Sequence, residues 1–439
     1  MKRTLFFSFG VILVIILAAC GQGGRGTAAV GGAAAPGAAQ DEVVLEFMGW
    51  EASPLETDAV RQGISIFQEQ FPHIRVEYTP VGGADYGAML LAAAAGGAMP
   101  DVFFLGSADY RHFAVRGVLL DLTYLFDAAF SLDDFLASSR RHMEINGRVY
   151  GIQSCIVTPV LYFNKDIFDE AGVAHPGTTP MHWNEFREKA IALTTDEIFG
   201  TFGIEGIGQQ MHLFLVSNGA AMFNDDLSQA TIDSQQARDV FNAIRNLRVV
   251  DGAAADVVTL ENIGMNAAQM LQTGRVAMVV DGSWALQELS QMDFRLGLAP
   301  APHFGTPTNM AQAHKHSICA NASNPDEAWE FLRFLSGMYY QGRLVNSGLW
   351  MPNRYSMYEP EAVDQWYDPD VHGNYIYFLD YFMDAAPCPT ALHRSPVKWS
   401  IIQEETDIFY RDLGDIDVMI ENLERRLNDE IARIEAEGL

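Results

Sequence analysis

FQEQFPHIRVEY, residues Phe67–Tyr78, decides the fold class, because it holds the end of a helix, a stop and the start of a strand. Apolar residues recur at helical spacing up to the stop: Val60, Ile64, Phe67 and Phe71. Pro72 ends this helix, since proline cannot continue the helical hydrogen bonds. Apolar residues then alternate, as in a half-buried strand: Ile74, Val76 and Tyr78. The stretch predicts one helix-to-strand step of an α/β fold.

The flanking sequence repeats the same step. VVLEF (Val43–Phe47) reads as a short apolar strand before the helix, and VFFL (Val102–Leu105) as another after it. A small-residue helix around Met89–Ala95 lies between the second and third strands. Strand, helix, strand, helix, strand in this order predicts βαβ units and a parallel sheet.

The alternation continues to the end of the chain. Strands are predicted at 149–156, 160–163 and 276–280, and helices at 183–193, 237–249 and after Asn324, with Pro325 in the first position. The last predicted helix carries one apolar stripe: Ile416, Ile420, Leu423, Leu427, Ile431 and Ile434. Such a stripe indicates packing against the rest of the fold. We find no internal repeat.

The first residues indicate export. Lys2 and Arg3 precede an apolar stretch, Leu5–Leu17, which ends in Leu-Ala-Ala-Cys-Gly with Cys20 as its cysteine. A charged start, a short apolar core and small residues predict a secretory signal peptide over residues 1–19. The core is shorter than the ~20 residues that a membrane-spanning helix needs.

The end of this segment resembles the lipobox of bacterial lipoproteins, whose cysteine is diacylated and becomes the mature N-terminus. The resemblance implies lipid attachment at Cys20 and an anchor on the outer face of the cell membrane. The alternative is an incidental cysteine beside an ordinary cleavage site. The following Gly/Ala-rich run to residue 40 cannot bury a core, so residues 20–40 are predicted to form a lipidated, flexible tether.

Charge and cysteine content exclude several classes of protein. The formal net charge is −28 at pH 7, which disfavours nucleic-acid binding and favours a soluble monomer. Cys155, Cys319 and Cys388 have no CxxC spacing, which argues against zinc and thioredoxin-like sites. Three cysteines allow at most one disulfide, whose pairing the sequence leaves open.

Seven segments together resemble the family 1 extracellular solute-binding proteins, the group that includes maltose-binding protein. In chain order they are FMGW, FQEQFPHIRVEY, AMPDV, INGRVYGI with VLYFNKDIFDEAGV, TTPMHWNEF, GRVAMVVDGSWAL and NPDEAWEFLRFLSG. The resemblance implies a two-lobed periplasmic-binding-protein fold of the maltose-binding type (type II), with discontinuous α/β lobes joined by hinge strands. Matching segments place the first lobe at 41–153 plus 299–336 and the second at 154–298 plus 337–439.

The resemblance also implies a function. The chain is expected to capture a mono- or oligosaccharide between the lobes and deliver it to the transmembrane subunits of an ABC importer, without a cofactor and without catalysis. Within the same fold the ligand could instead be a polyamine, a glycerophosphoryl ester or a peptide. A surface glycosidase is the alternative from another class, and it would need two carboxylates facing each other across the cleft.

Three tryptophans are predicted to bind the sugar, because a flat aromatic face suits the C–H side of a pyranose. Trp284 lies in a turn after a buried strand and matches the family's stacking tryptophan. Trp50 follows the first strand, at the edge where open α/β sheets place ligands. Trp350 lies in SGLWMPN, a loop where the family presents another cleft residue. For each of the three, core packing is the alternative.

Three polar residues complete the expected site. Asp109 follows the VFFL strand, where the family often has a hydroxyl-binding carboxylate. Gln210 and His212 fall where the maltose-binding relative carries ligand contacts, but the local motif departs into GIGQQMH.

No metal is expected. His314 and His316 lack a third ligand, and the EF-hand-like run after Asp368 lacks an acid at its twelfth position.

Overall fold

The computed structural model describes residues 42–51, 54–202, 209–255, 263–265, 267–388 and 397–436. The predicted signal peptide (1–19), Cys20 and the predicted tether (20–40) lie outside the described residues. Glu42–Leu439 forms one compact unit. Within the described residues no helix combines the length and the apolar character needed to cross a membrane.

Strands and helices alternate through the unit. The strands are β1 Val43–Glu51, β2 Ile74–Gly82, β3 Val102–Leu105, β4 Glu144–Ile145, β5 Arg148–Val149, β6 Gly151–Ile152, β7 Pro159–Asn164, β8 Phe199–Phe202, β9 Val276–Gly282, β10 Leu296–Pro300, β11 Met310–Ala311, β12 Lys315–Ile318 and β13 Ala386–Pro387. The α-helices are Pro54–Gln70, Gly83–Gly96, Ser107–Val115, Ala137–Met143, Lys165–Ala171, Trp183–Leu193, Gln209–Ser217, Gln235–Val249, Ala267–Gln272, Leu286–Leu289, Pro325–Leu335, Met338–Asn346, Pro360–Trp366, Pro369–His372, Leu379–Met383, Lys398–Tyr410 and Ile416–Ala436.

Two larger sheets organise these elements. The described strands of the first sheet run in the order β2-β1-β3-β12-β6, and those of the second in the order β10-β7-β9-β8. β1 pairs in parallel with both β2 and β3, as the βαβ pattern predicts. β12 is antiparallel to β3, and β7 is antiparallel to β9 and β10. The chain leaves the first sheet after β6 and returns to it only at β12, so the first sheet is discontinuous in sequence.

Helices cover both sheets. The core around the first sheet includes Phe47, Phe67 and Phe331, whose rings pack together at centroid distances of 4.9–5.4 Å with those of Phe104 and Phe334. The last helix, Ile416–Ala436, buries most of its predicted stripe, with Ile420, Leu423, Leu427 and Ile431 in the core of the second sheet. Burial of such a stripe, rather than helix propensity, supplies most of the stability of a helix.

Three chain segments lie side by side where the chain passes between the sheets. The Val157 N–H donates to the Gln312 carbonyl at 2.8 Å, and the Gln312 N–H donates back at 3.1 Å. Ile156 and Met351 exchange the same pair of bonds at 2.9 and 3.1 Å. The chain passes between the sheets once at residues 156–157 and again near Gln312. The backbone pairs join these two segments and the segment of Met351 in one short ribbon.

Two helices do not begin with the side-chain caps that their residue types suggest. Thr57 and Asp58 are residue types that often cap helices, but the first helix begins ahead of them, at Pro54. Thr57 is instead buried inside the helix. Asn324 does precede a helix with Pro325 in its first turn, but its side chain makes no capping hydrogen bond.

Candidate functional site

Trp284 lies in a tight turn that follows a buried strand. β9 is almost wholly buried and ends at Gly282, and a 3-10 turn, Ser283–Ala285, comes next. The Ser283 N–H donates to the Thr158 carbonyl at 2.8 Å, and the Thr158 N–H donates to the Ser283 hydroxyl at 3.3 Å. These bonds fix the turn against the chain entering β7. The Trp284 side chain is 42% exposed, so the turn presents an aromatic face outside the core.

Two buried tyrosines support the turn from behind. The Tyr162 hydroxyl donates to the Gly282 carbonyl at 3.2 Å and lies 3.3 Å from the Tyr375 hydroxyl. Both rings are fully buried. A buried hydroxyl that loses its partner costs about 1–3 kcal/mol, so this contact restrains the position of Gly282.

Trp284 lines a cavity of about 550 Å³. The cavity is bounded by residues before and after the 3-10 turn, by the start of the helix Pro54–Gln70 and by Leu349, whose side chain belongs to the core of the first sheet. Its full lining is Pro54, Leu55, Glu56, Ala267, Ala268, Asp281, Trp284, Ala285, Gln287, Glu288 and Leu349. Elements packed on both sheets therefore contribute to one cavity of the size typical for small-molecule sites.

The three carboxylates of this cavity differ in exposure: Glu56 is buried, Asp281 is half-buried and Glu288 is exposed. Glu56 is only 5% exposed, and burial raises its pKa to about 7. Burial also raises the pKa of Asp281 to about 6; a hydrogen bond from the Gly282 N–H at 2.7 Å opposes the rise, and the charge of nearby Glu288 adds to it. Carboxylates beside an exposed indole can accept hydrogen bonds from the hydroxyls of a bound sugar.

A second cavity of about 420 Å³ adjoins the first, since Leu55 and Gln287 line both. Its lining is mostly polar and includes Gln62, Gln291 and Arg343. The Arg343 guanidinium donates to the Gln62 side-chain oxygen at 3.1 Å. The Gln287 amide donates to the Ser347 hydroxyl at 3.1 Å, which orients the residue shared by the two cavities.

Trp50 and Trp350 meet a common neighbour rather than Trp284. Their rings each lie 5.0 Å from the His314 ring, in edge-on arrangements. Trp50 is half-buried, whereas Trp350 is 6% exposed and belongs to the core of the first sheet. Leu349, the residue before Trp350, lines the Trp284 cavity. The ligand-binding roles of Trp50 and Trp350 stay predictions.

Asp109 and His212 lie near one buried lysine. Burial lowers the pKa of Lys398 to about 8, and the charges of Cys388 and Asp109 raise it. Burial raises the pKa of Asp109, and it lowers that of His212 to about 3, with Lys398 lowering it further. His212 is fully buried, and its ring nitrogens have no hydrogen-bond partner within the described part of the chain. Gln210 is buried on the same helix. The ligand roles of these three residues also stay predictions.

The sequence-based interpretation missed the carboxylates of the Trp284 cavity. Asp281 stands three residues before the tryptophan and Glu288 four residues after it, so spacing around the turn was the available signal. Glu56 had no comparable signal, because its place in the cavity depends on tertiary packing.

The described residues offer no group of three His, Cys, Asp or Glu side chains placed to hold a metal ion. His316 lies on β12 and His314 immediately before it; both are buried among aromatic rings, and the His314 ring stacks on Phe104 at 4.5 Å. Asp368, in the EF-hand-like run, caps a short helix by accepting from the Asp370 N–H at 2.9 Å. Cys155, Cys319 and Cys388 are all buried.

The order of the elements, the discontinuous first sheet and the cavity are features of solute-binding proteins. The chain belongs to the bacterial extracellular solute-binding protein family, whose model matches residues 52–341. The resemblance recognised in the sequence is thereby confirmed.

Several relatives with curated descriptions share part of the sequence. An uncharacterized lipoprotein in the oleD 5′ region of Streptomyces antibioticus is 27% identical over 338 residues, which are 74% of this chain and 70% of that protein. The multiple sugar-binding protein of Streptococcus mutans is 24% identical over 68% of this chain and 72% of its own length. The chain spans 63% of the length of a binding protein from Brucella abortus, at 21% identity over 58% of this chain.

Solved structures show the same fold. An ABC substrate-binding protein from Listeria monocytogenes, in complex with cycloalternan, aligns with a TM-score of 0.79 at 20% identity, over 89% of this chain and all of that one. The sugar-binding protein MalE from Xanthomonas citri aligns with a TM-score of 0.75 at 19% identity, over 90% of this chain and 98% of that one. The predicted two-lobed α/β periplasmic-binding-protein fold is thus confirmed.

Proposed function

We propose that this chain is the solute-binding component of an ABC importer and that it captures a sugar in the Trp284 cavity. One observation carries the proposal: a 42%-exposed indole lines a cavity together with an amide and three carboxylates, of which Glu56 is buried. An aromatic face covers the apolar side of a pyranose, and the polar groups satisfy its hydroxyls.

The family supports the transport role, and the relatives support the ligand class. The Streptococcus mutans relative is described as a multiple sugar-binding protein, and one from Halalkalibacterium halodurans as an arabinooligosaccharide-binding protein. Members of the family are transport binding proteins rather than enzymes. We propose accordingly that the chain itself has no catalytic role and that its partner is a permease pair.

Capture depends on closure of two lobes around the ligand. We propose that the paired segments at Val157–Gln312 and Ile156–Met351 form the hinge, because the chain passes there between the sheets. Tyr340, Leu344 and Leu349 belong to the core of the first sheet, which favours a third lobe boundary near residue 350. The sequence-based boundary after residue 336 stays a prediction.

We propose that lipid at Cys20 holds the protein near its permease, which raises the effective concentration of captured solute there. A relative described as a lipoprotein supports this anchor. Expression of Cys20→Ala tests it: the protein should move from the membrane fraction to the soluble fraction and lose incorporation of radiolabelled palmitate. Equal labelling of both proteins would exclude acylation at this residue.

A thermal-shift panel on the full-length protein, purified in detergent, tests the ligand class. Neutral mono- and oligosaccharides, amino sugars, polyamines, glycerophosphoryl esters and short peptides are compared. Stabilisation by at least one saccharide, rising with its concentration, is expected, because a ligand that binds only the native state stabilises it. Stabilisation by phosphoesters or peptides alone would contradict the proposal. Turnover of aryl glycosides would instead indicate the glycosidase.

A further inference from the structure

The charges around the Trp284 cavity are all of one sign. Glu56, Asp281 and Glu288 line it, and its described lining contains no lysine, arginine or histidine. A neutral sugar does not require this imbalance, since amides and hydroxyls satisfy its hydroxyls equally well.

The excess of negative charge in the cavity lining affects Asp281 most clearly. Its carboxylate lies at the carboxyl end of β9 and accepts the Gly282 N–H at 2.7 Å. Burial and the nearby Glu288 both raise its pKa, and so the charged form of Asp281 is disfavoured. A cation bound beside it would reverse that effect.

The indole supplies the second half of the recognition. A cation placed over the face of a tryptophan is attracted by the ring quadrupole, most strongly where water is excluded. Trp284 is the exposed aromatic residue of this lining, two residues beyond Gly282. The formal charge of −28 for the whole chain also attracts cationic solutes toward the protein.

We propose that the Trp284 cavity selects a protonated amine carried on a sugar, so that the solute is an amino sugar or an amine-bearing oligosaccharide. The amine binds Asp281, with Glu288 and the ionised fraction of Glu56 adding negative charge, and the sugar ring lies on Trp284. This inference rests on the proposed function, because it names the class of sugar for the same cavity.

Calorimetry with matched ligands tests the inference. Glucosamine and its β-1,4-linked oligomers are titrated into the full-length protein near neutral pH, beside their N-acetylated counterparts, glucose and spermidine. The N-acetylated compounds keep the ring and remove the charge. We expect the free amines to bind at least about 10-fold more tightly than the acetylated forms, since a charged hydrogen bond contributes more than a neutral one.

Two variants connect the preference to the cavity. Asp281→Asn keeps an oxygen for the Gly282 N–H and removes the charge. Glu288→Gln removes a charge at an exposed position. Each should reduce the preference for the free amine, Asp281→Asn by about 10-fold. Asp364→Asn, an exposed acid on the helix Pro360–Trp366, is the matched control and should leave the preference unchanged.

The outcomes separate this inference from the proposed function. Equal or tighter binding of acetylated or neutral sugars overturns the inference and leaves sugar capture standing. Binding of spermidine without any saccharide overturns both the sugar part of the inference and the proposed function. An amine preference that survives both cavity variants also overturns the inference, because the amine would then be recognised elsewhere.

Discussion

The indole of Trp284 folds back over the α-carbon of Gly282. A Cβ at position 282 would stand 2.2 Å from Cζ3 of that ring, far inside any contact distance. The backbone there has φ −69°, which every residue adopts readily. Glycine is therefore required by the tryptophan and not by the turn.

Gly282→Ala should move the indole while leaving the fold intact. We expect at least about a 10-fold loss of saccharide affinity, because a stacking ring displaced from its position loses most of its contact. Calorimetry and circular dichroism measure the affinity and the fold. Gly82→Ala is the control, since a Cβ there meets nothing within 4 Å. Unchanged affinity in Gly282→Ala would show that the position of the indole is unimportant.

A second pair of glycines tests close packing in helices. A Cβ on Gly63 would lie 2.1 Å from Cε2 of Tyr340, whereas one on Gly87 meets nothing within 4 Å. Gly63→Ala should lower the free energy of unfolding by about 1–3 kcal/mol through overpacking. Gly87→Ala should raise it by about 0.5–1 kcal/mol through helix propensity. Urea denaturation measures both, and the same sign for the two variants would contradict the packing described.

The pH dependence of stability should reflect Glu56. Its pKa rises on folding from 4.5 to about 7, so the folded state holds a proton that the unfolded state releases between these values. This contribution is fully present below pH 4.5 and is lost as pH rises through about 7. Glu56→Gln should therefore be more stable than the original protein at pH 8, by about 1–3 kcal/mol. The two proteins should converge near pH 4; a constant difference across this range would refute the assignment.

A buried amide network lies beside the segments proposed as the hinge. The Asn353 side chain donates to the Gln153 carbonyl at 2.8 Å and accepts from the Gln341 amide at 2.8 Å, and all three residues are fully buried. Asn353→Ala should lower the free energy of unfolding by about 2–4 kcal/mol, because it leaves buried polar groups without partners.

The control for this network is a half-buried asparagine whose one similar bond is exposed to solvent. Asn218 donates to the Gln236 carbonyl at 2.9 Å in a solvent-exposed contact. Asn218→Ala should change the free energy of unfolding by less than about 1 kcal/mol, since water replaces the lost partner. Urea denaturation measures the free energy of unfolding of both variants. An equal decrease in the two would contradict the stabilising role assigned to the network.

Local structure followed closely from the sequence where the pattern was strongly periodic. The helix Trp183–Leu193 and the strand Val102–Leu105 have the predicted bounds, and the helix Pro325–Leu335 begins at the predicted residue. Their apolar spacing and flanking breakers act within a few residues, which is the range that sequence patterns describe. The discontinuous first sheet came only from family resemblance, because the pairing of β12 with β3 joins residues more than 200 positions apart.

The site was predictable only where it depends on local sequence. Trp284 could be singled out from its turn, and the structure gives it the largest exposed fraction of the three tryptophans considered. Trp350 lies in a Gly- and Pro-flanked loop, yet packing buries it. Glu56 lines the cavity only because the helix Pro54–Gln70 is brought beside the turn of Trp284, which local sequence does not specify.

The central claim is that a sugar binds against Trp284. Isothermal titration of the saccharide that stabilises the full-length protein most tests it directly, with Trp284→Ala as the variant and Tyr124→Ala, a 72%-exposed aromatic residue outside the cavity, as the control. We predict that the dissociation constant is at least about 10-fold larger for Trp284→Ala and is unchanged for Tyr124→Ala. Affinity within twofold of the original in a folded Trp284→Ala protein would contradict the claim.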